Sequence, residues 1–218
     1  MTTPRARDTR HKGLTKAMVA GVAEDVLNDS GVERLSMRQV AMRLGVSPTA
    51  LYNHVESKED LLALIADSLR ARISVDDSEP ARNQLLSLLR QLRDLGARHP
   101  ALLNGGAAVN TSQQAAEVAL LELRLLHELG LKPHQVRVAY QQLVMLVTGA
   151  AVVWRARAQA PDLPDLLRDR IRAVASTSDI RRLDALDALP SMDPDAAFER
   201  AVDQILQAAA RYVKPRPQ

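Results

Sequence analysis

The chain contains no cysteine, one tryptophan and one phenylalanine, and aromatic residues make up only 2% of it. Without cysteine there is no disulfide framework and no thiolate metal site, and this fits a reducing cytosol. Scarce aromatics argue against a stacking cage for flat cations. No run of roughly 18 apolar residues occurs, so no membrane span is expected. The opening MTTPRARDTRHKG is basic but has no apolar centre, unlike a secretory signal. Catalytic signatures are missing too: there is no HExxH, no Gly-rich phosphate loop and no Ser/His/Asp grouping at recognisable spacing. His11, His54, His99, His127 and His134 are scattered. A small helical enzyme is therefore the weakest reading, and no catalytic residue, metal ligand or cofactor is expected.

What is present is length, apolar content and an uneven charge. At 218 residues with 46% hydrophobic and 25% charged residues, the chain can fill a full core or divide into a small and a larger domain. Residues 1–58 hold nine Lys/Arg against six Asp/Glu, whereas residues 59–218 hold twenty of each. The net charge of +3 thus lies entirely in the first quarter. Clustered positive charge there suits phosphate binding through counterion release, although a solubilising tail would look the same.

The segment beside that charge, SMRQVAMRLGVSPTALYNHVESK from Ser36 to Lys58, reads as two short helices and a tight turn. Val40, Ala41 and Leu44 share one face. Gly45 stops the first helix, because a residue without Cβ enters the left-handed region freely. Ser47 can N-cap the second helix, and Pro48 suits its first position. Ala50, Leu51 and Val55 point inward, which leaves Thr49, Tyr52, Asn53 and His54 outward, with Lys58 just beyond. This is the pattern of a helix-turn-helix with a recognition helix.

The rest reads as helices throughout, with no strand-like alternation and no repeat. Residues 1–13 form a basic arm (Arg5, Arg7, Arg10, His11, Lys12) able to follow a backbone or enter a minor groove. Thr15 caps a first helix to about Ser30, ended by Gly31, with Val19, Val22, Ala23, Val26 and Leu27 on its inner face. Ser57 opens a longer helix to about Ile73. Further helices are expected over 81–98, 112–129, Pro133 to about Ala158, within 160–193, and from Pro194. Val136, Tyr140, Leu143, Val144 and Val147 form one stripe of the helix from Pro133. The expected class is all-α: a helix-turn-helix domain over 14–60 after the arm, then a larger helical effector-binding and dimerisation domain over 61–214.

On these residues the N-terminal third resembles the TetR family of bacterial transcriptional repressors, carried by LGVSPTALYNHVESKEDLL and the long helix after it. The C-terminal part is similar to the tetracycline-repressor subgroup through LLHELGLKPHQVRVAYQQLVMLVTG and FERAVDQIL. The resemblance implies a cytoplasmic homodimer without membrane attachment, joined by a four-helix bundle from the helices at Pro133 and Pro194. It binds an inverted-repeat DNA operator and is released by a small molecule held in each protomer. Gly149-Ala150-Ala151 favours such an interface, because small side chains let helices approach closely, with a tight neighbour in the same protomer as the lesser alternative. Carried over position by position, the DNA contacts are Arg38, Thr49, Tyr52, Asn53, His54 and Lys58. Tetracycline repressors hold a drug-bound magnesium ion, but the comparable places here are Ser74, Gly106 and Val153, which offer little to a hard cation. The expected effector is therefore not tetracycline–magnesium but a largely apolar molecule. Leu88, Leu92 and Met145 would line its cavity, with His99, Asn104 and Glu122 as polar handles. An activator on the same scaffold and a non-specific DNA binder stand as the alternatives.

Overall fold

The structure is a computed structural model that describes residues 13–103, 109–175 and 193–212. The expected arm up to Lys12, Asn104 to Ala108 with its glycine pair, and the C-terminal KPRPQ lie outside those residues. The described elements are all helical: α1 (Lys16–Arg34), α2 (Met37–Leu44), α3 (Pro48–Tyr52), α4 (Lys58–Arg70), α5 (Ala81–Arg98), α6 (Pro100–Leu103), α7 (Gln113–Glu128), α8 (Pro133–Gln159), α9 (Leu163–Val174) and α10 (Pro194–Arg211). The described residues divide into two compact units, one of residues 13–72 together with 109–115, the other of the remaining described residues.

In the first unit each helix start is fixed by its own side chain. Thr15, Ser36, Ser47 and Ser57 each accept a hydrogen bond from a backbone N–H in the first turn of α1 to α4. Gly31 breaks the α1 helix at φ +76°, and Gly45 ends α2 in the left-handed region at φ +69°. Gly45 N–H donates to Met42 O and Val46 N–H to Ala41 O, so the last carbonyls of α2 are satisfied. Val19, Ala23 and Val26 of α1 are buried, as are Val40, Leu51, Val55, Leu61 and Ile65, and α1 packs on both α2 and α4. The unit extends past the border expected at residue 60, because Leu61, Ile65, Ala66 and Leu69 are buried and α4 packs on α1. It also takes in the segment after residue 108, which Arg70 holds by donating from Nη1 to Val109 O at 2.7 Å. The helix expected to reach about Ile73 ends at Arg70.

The second unit is built around α8, with α5 along one side and α10 along another. Leu85, Leu88 and Leu89 of α5, Leu125 and Leu126 of α7, Ala139 and Leu143 of α8, and Phe198 and Val202 of α10 form its core. Arginines of α5 meet carboxylates of α10 in antiparallel order: Arg82 binds Asp203 and Glu199, Arg90 binds Glu199, and Arg93 binds Asp195. At the other end Gln135 of α8 donates to Ala210 O of α10 at 2.8 Å. Gly96 permits the close approach of α5 to α8. A Cβ there would lie 3.1 Å from Ala151 Cβ and 2.8 Å from Leu103 Cδ2. The Gly149–Ala151 triplet is therefore split, since Ala151 is buried within the protomer while Gly149 has open space around it.

Among the described residues α8 alone is long and apolar enough to cross a membrane, with a mean hydropathy of 1.5 over its most apolar window. Its inner side is core. Its outer side exposes Val144, Met145, Val152 and Val153, so Val144 leaves the inward stripe expected for it.

Candidate nucleic-acid interface and effector site

The residues expected to meet DNA lie on α2, on α3 and its following turn, and at the start of α4 in the first unit. α3 spans five residues and ends at Tyr52, so Asn53 is its C-cap and His54 lies in the following turn. The helix expected to run through Val55 is shorter. The chain nonetheless stays wound closely enough for Val55 N–H to donate to Leu51 O at 3.2 Å, and this keeps Val55 inward. Thr49, Tyr52 and Asn53 are exposed, Tyr52 by 50%, and Arg38 on α2 is exposed as well. His54 is half-buried, unlike the fully outward position expected of it. Lys58 is also half-buried, and its Nζ donates to Val32 O at 2.7 Å. One of its three protons thus ties the start of α4 to the end of α1, leaving two for another acceptor.

The residues expected around an effector lie in the second unit and separate into two sets. Leu88 is fully buried, and Leu92 packs at the edge of the same core. His99, the C-cap of α5, is buried. Glu122 is 4% exposed on the inward side of α7. Its neighbours at helical spacing, Val118, Leu125 and Leu126, all pack in the core. Its Oε1 is buried without a hydrogen-bond partner. Burial pushes this carboxyl up to about 7, because the charged form is poorly solvated there. Across from it on α8, the half-buried Tyr140 hydroxyl is raised by its own burial and further by the charge of Glu122. Met145 does not join this set. It is 74% exposed, on the α8 face shared with Gln141, Thr148 and Val152. Asn104 lies outside the described residues. Among those residues no group of three or more His, Asp and Glu gathers as a metal site.

Residues 21–65 match the model of the bacterial regulatory proteins of the tetR family. The chain is 31% identical over 199 residues to the tetracycline repressor protein class A from transposon 1721 of Escherichia coli, covering 88% of this chain and 89% of that one. It belongs to the TetR family. Solved TetR-family structures agree. ActR of Streptomyces coelicolor in complex with actinorhodin superposes with a TM-score of 0.76 at 25% identity, covering 90% or more of both chains (91% and 99%). BioQ with its natural double-stranded DNA operator superposes with a TM-score of 0.57 at 29% identity, over 73% of this chain and 99% of that one. The protein is thus a DNA-binding transcriptional regulator of the TetR family with an all-α fold.

Two features of this TetR-family chain escape a reading of its sequence. The first is Arg70, whose bond to Val109 O joins α4 to a segment 39 residues further on. Burial lowers the proton affinity of its guanidinium, while Asp67 acts in the opposite direction. The second is Arg93, buried in the middle of α5. Its guanidinium lies 4.1 Å from the Trp154 ring centroid and 4.9 Å from that of Phe198. It also binds Asp94 at 2.8 Å and Asp195 at 2.6 Å. Arg93, Asp94, Trp154 and Asp195 edge an open groove of about 710 Å³ that includes Arg98 and Arg155. The only sequence signal for this junction is the rarity of aromatics: the chain's single tryptophan and single phenylalanine both flank one arginine.

Proposed function

We propose that the protein is a ligand-responsive transcriptional repressor that binds an inverted-repeat operator as a homodimer and is released by a small-molecule effector. One observation carries this reading. An exposed α3, capped by Ser47 and stopped at Tyr52, stands on a chain that aligns along both of its units with a tetracycline repressor. In the dimer, the outer side of α8 (Val144, Met145, Val152) packs on that of the second copy, together with α10. Paired α3 helices then enter successive major grooves about 34–36 Å apart. Thr49, Tyr52 and Asn53 read bases, the amide of Asn53 being suited to adenine. Arg38 and Lys58 contact phosphates, and His54 supports the edge of the reader. The protein works in the cytoplasm without a membrane partner.

The effector binds in the second unit, within reach of Leu88, Leu92, His99 and Glu122. Its coupling to DNA runs through α4, which begins at Lys58 and ends at Arg70. A hundredfold loss of operator binding requires about 2.7 kcal/mol of differential affinity between the two states. Selection of bound sites from a random DNA pool tests the reader. A palindrome with half-sites one helical turn apart supports it, and a protein that remains a lone protomer on any duplex refutes it. Reporter output in a deletion strain rises for a repressor and falls for an activator.

A further inference from the structure

We infer that the effector is an apolar molecule carrying a protonated amine, whose N–H donates to Oε1 of Glu122. This rests on the effector-binding reading of the second unit and adds the chemistry that the ligand must bring. Four turns of α7 present an inward apolar face, and Glu122 interrupts it between Val118 and Leu125–Leu126. Its Oε1 is buried and accepts nothing. A buried acceptor left unmade is costly, and an ionised one more so, whereas an apolar residue at this site would incur no such cost. The carboxyl is therefore a liability to the fold unless something arrives to satisfy it. Tyr140 faces it from α8, but no hydrogen bond joins the two. Leu92, Leu121 and Tyr140 pack at the half-buried margin of this core.

The donor's chemistry follows from the acceptor. A carboxyl that burial places at about 7 is ionised for much of the time at neutral pH, and a cation beside it shifts it fully to the charged form. A charge-assisted N–H bond is then about twice as strong as one from a neutral hydroxyl. A quaternary ammonium has no N–H to give Oε1. It would need an aromatic cage instead, and the chain holds only five aromatic residues: one Trp, one Phe and three Tyr.

The test uses three matched probes: 2-(1-naphthyl)ethylamine, its N,N,N-trimethylammonium derivative and 2-(1-naphthyl)ethanol. Binding is read by thermal shift and by release from the selected operator, with wild type, Glu122→Gln and Glu122→Leu. Far-UV circular dichroism of both variants without probe establishes that each is folded before binding is compared. The amine is expected to bind wild type at least tenfold tighter than the alcohol or the quaternary analogue, and to lose that advantage in both variants. Equal binding of amine and alcohol, amine binding unchanged in Glu122→Gln, or no binding by any probe overturns the inference. Release by the alcohol or by the quaternary analogue, with none by the amine, overturns it while leaving the effector reading intact. If no small molecule releases the operator, the effector reading falls as well.

Discussion

Replacing Glu122 by Gln should stabilise the protein at alkaline pH and change little in acid. An ordinary glutamate titrates near 4.5, and Glu122 in the folded chain titrates at about 7. The folded state therefore binds this proton more tightly than the unfolded one. Between those two values the native protein holds the extra proton, so its stability falls as pH rises. The cost is absent below 4.5 and complete above 7. At 1.36 kcal/mol per tenfold difference in proton affinity, ionising Glu122 in place costs at most about 3 kcal/mol. Glutamine keeps the shape and removes the charge. Urea denaturation of both proteins at pH 5, 6, 7 and 8, at one protomer concentration, isolates this carboxyl because other titrations cancel in the difference. The advantage of the variant should grow from about 1 kcal/mol or less at pH 5 towards that ceiling at pH 8. A difference that stays constant across pH would show that Glu122 ionises alike in both states, and the reasoning from its burial would fail.

Four further outcomes follow from the packing and the reader. Gly96→Val should destabilise by about 1–3 kcal/mol in the same assay, because Leu103 can turn aside but Ala151, on a neighbouring helix, cannot. Arg93→Met should cost about 1–2 kcal/mol, less than the loss of a fully buried partner. The two carboxylates it leaves, Asp94 and Asp195, have side chains 47% and 55% exposed and can be resolvated by water. Tyr52→Ala or Asn53→Ala should weaken operator binding about tenfold or more in a gel-shift titration, with the melting temperature held, since both side chains are exposed. Lys58→Met should do two things together: lower the melting temperature through the lost bond to Val32 O, and reduce the salt dependence of DNA binding by about one unit of slope.

Much of the fold could be read from punctuation in the chain. Ser47 with Pro48, Ser57 and Gly45 mark their helix ends, because each supplies a specific hydrogen bond or backbone conformation. Pro80 and His99-Pro100 bracket α5 in the same way. The end of α3 was less legible. Leu51 and Val55 keep helical spacing even though the helix ends at Tyr52, since the turn after it preserves the bond from Val55 N–H to Leu51 O. The facing of α8 was hidden for another reason. A helix apolar on nearly all sides carries no phase signal, so Val144 and Met145 looked as inward as Leu143. The partner of Arg93 on α10 could not be found by spacing, because Asp195 lies 102 residues away. Glu122 was visible as a carboxylate between leucines, but the solitude of its oxygen belongs to the packed state alone.

The pairing of the one indole in the chain with a buried guanidinium has a practical consequence. Trp154 sits where α5, α8 and α10 converge, with Arg93 over its ring and Phe198 edge-on at 6.3 Å. Its emission arises from one place, so any shift in colour or intensity reports on that junction without labels or competing signals. Whether a bound small molecule disturbs the bundle or leaves it untouched can thus be watched in a cuvette, in real time, with the native protein.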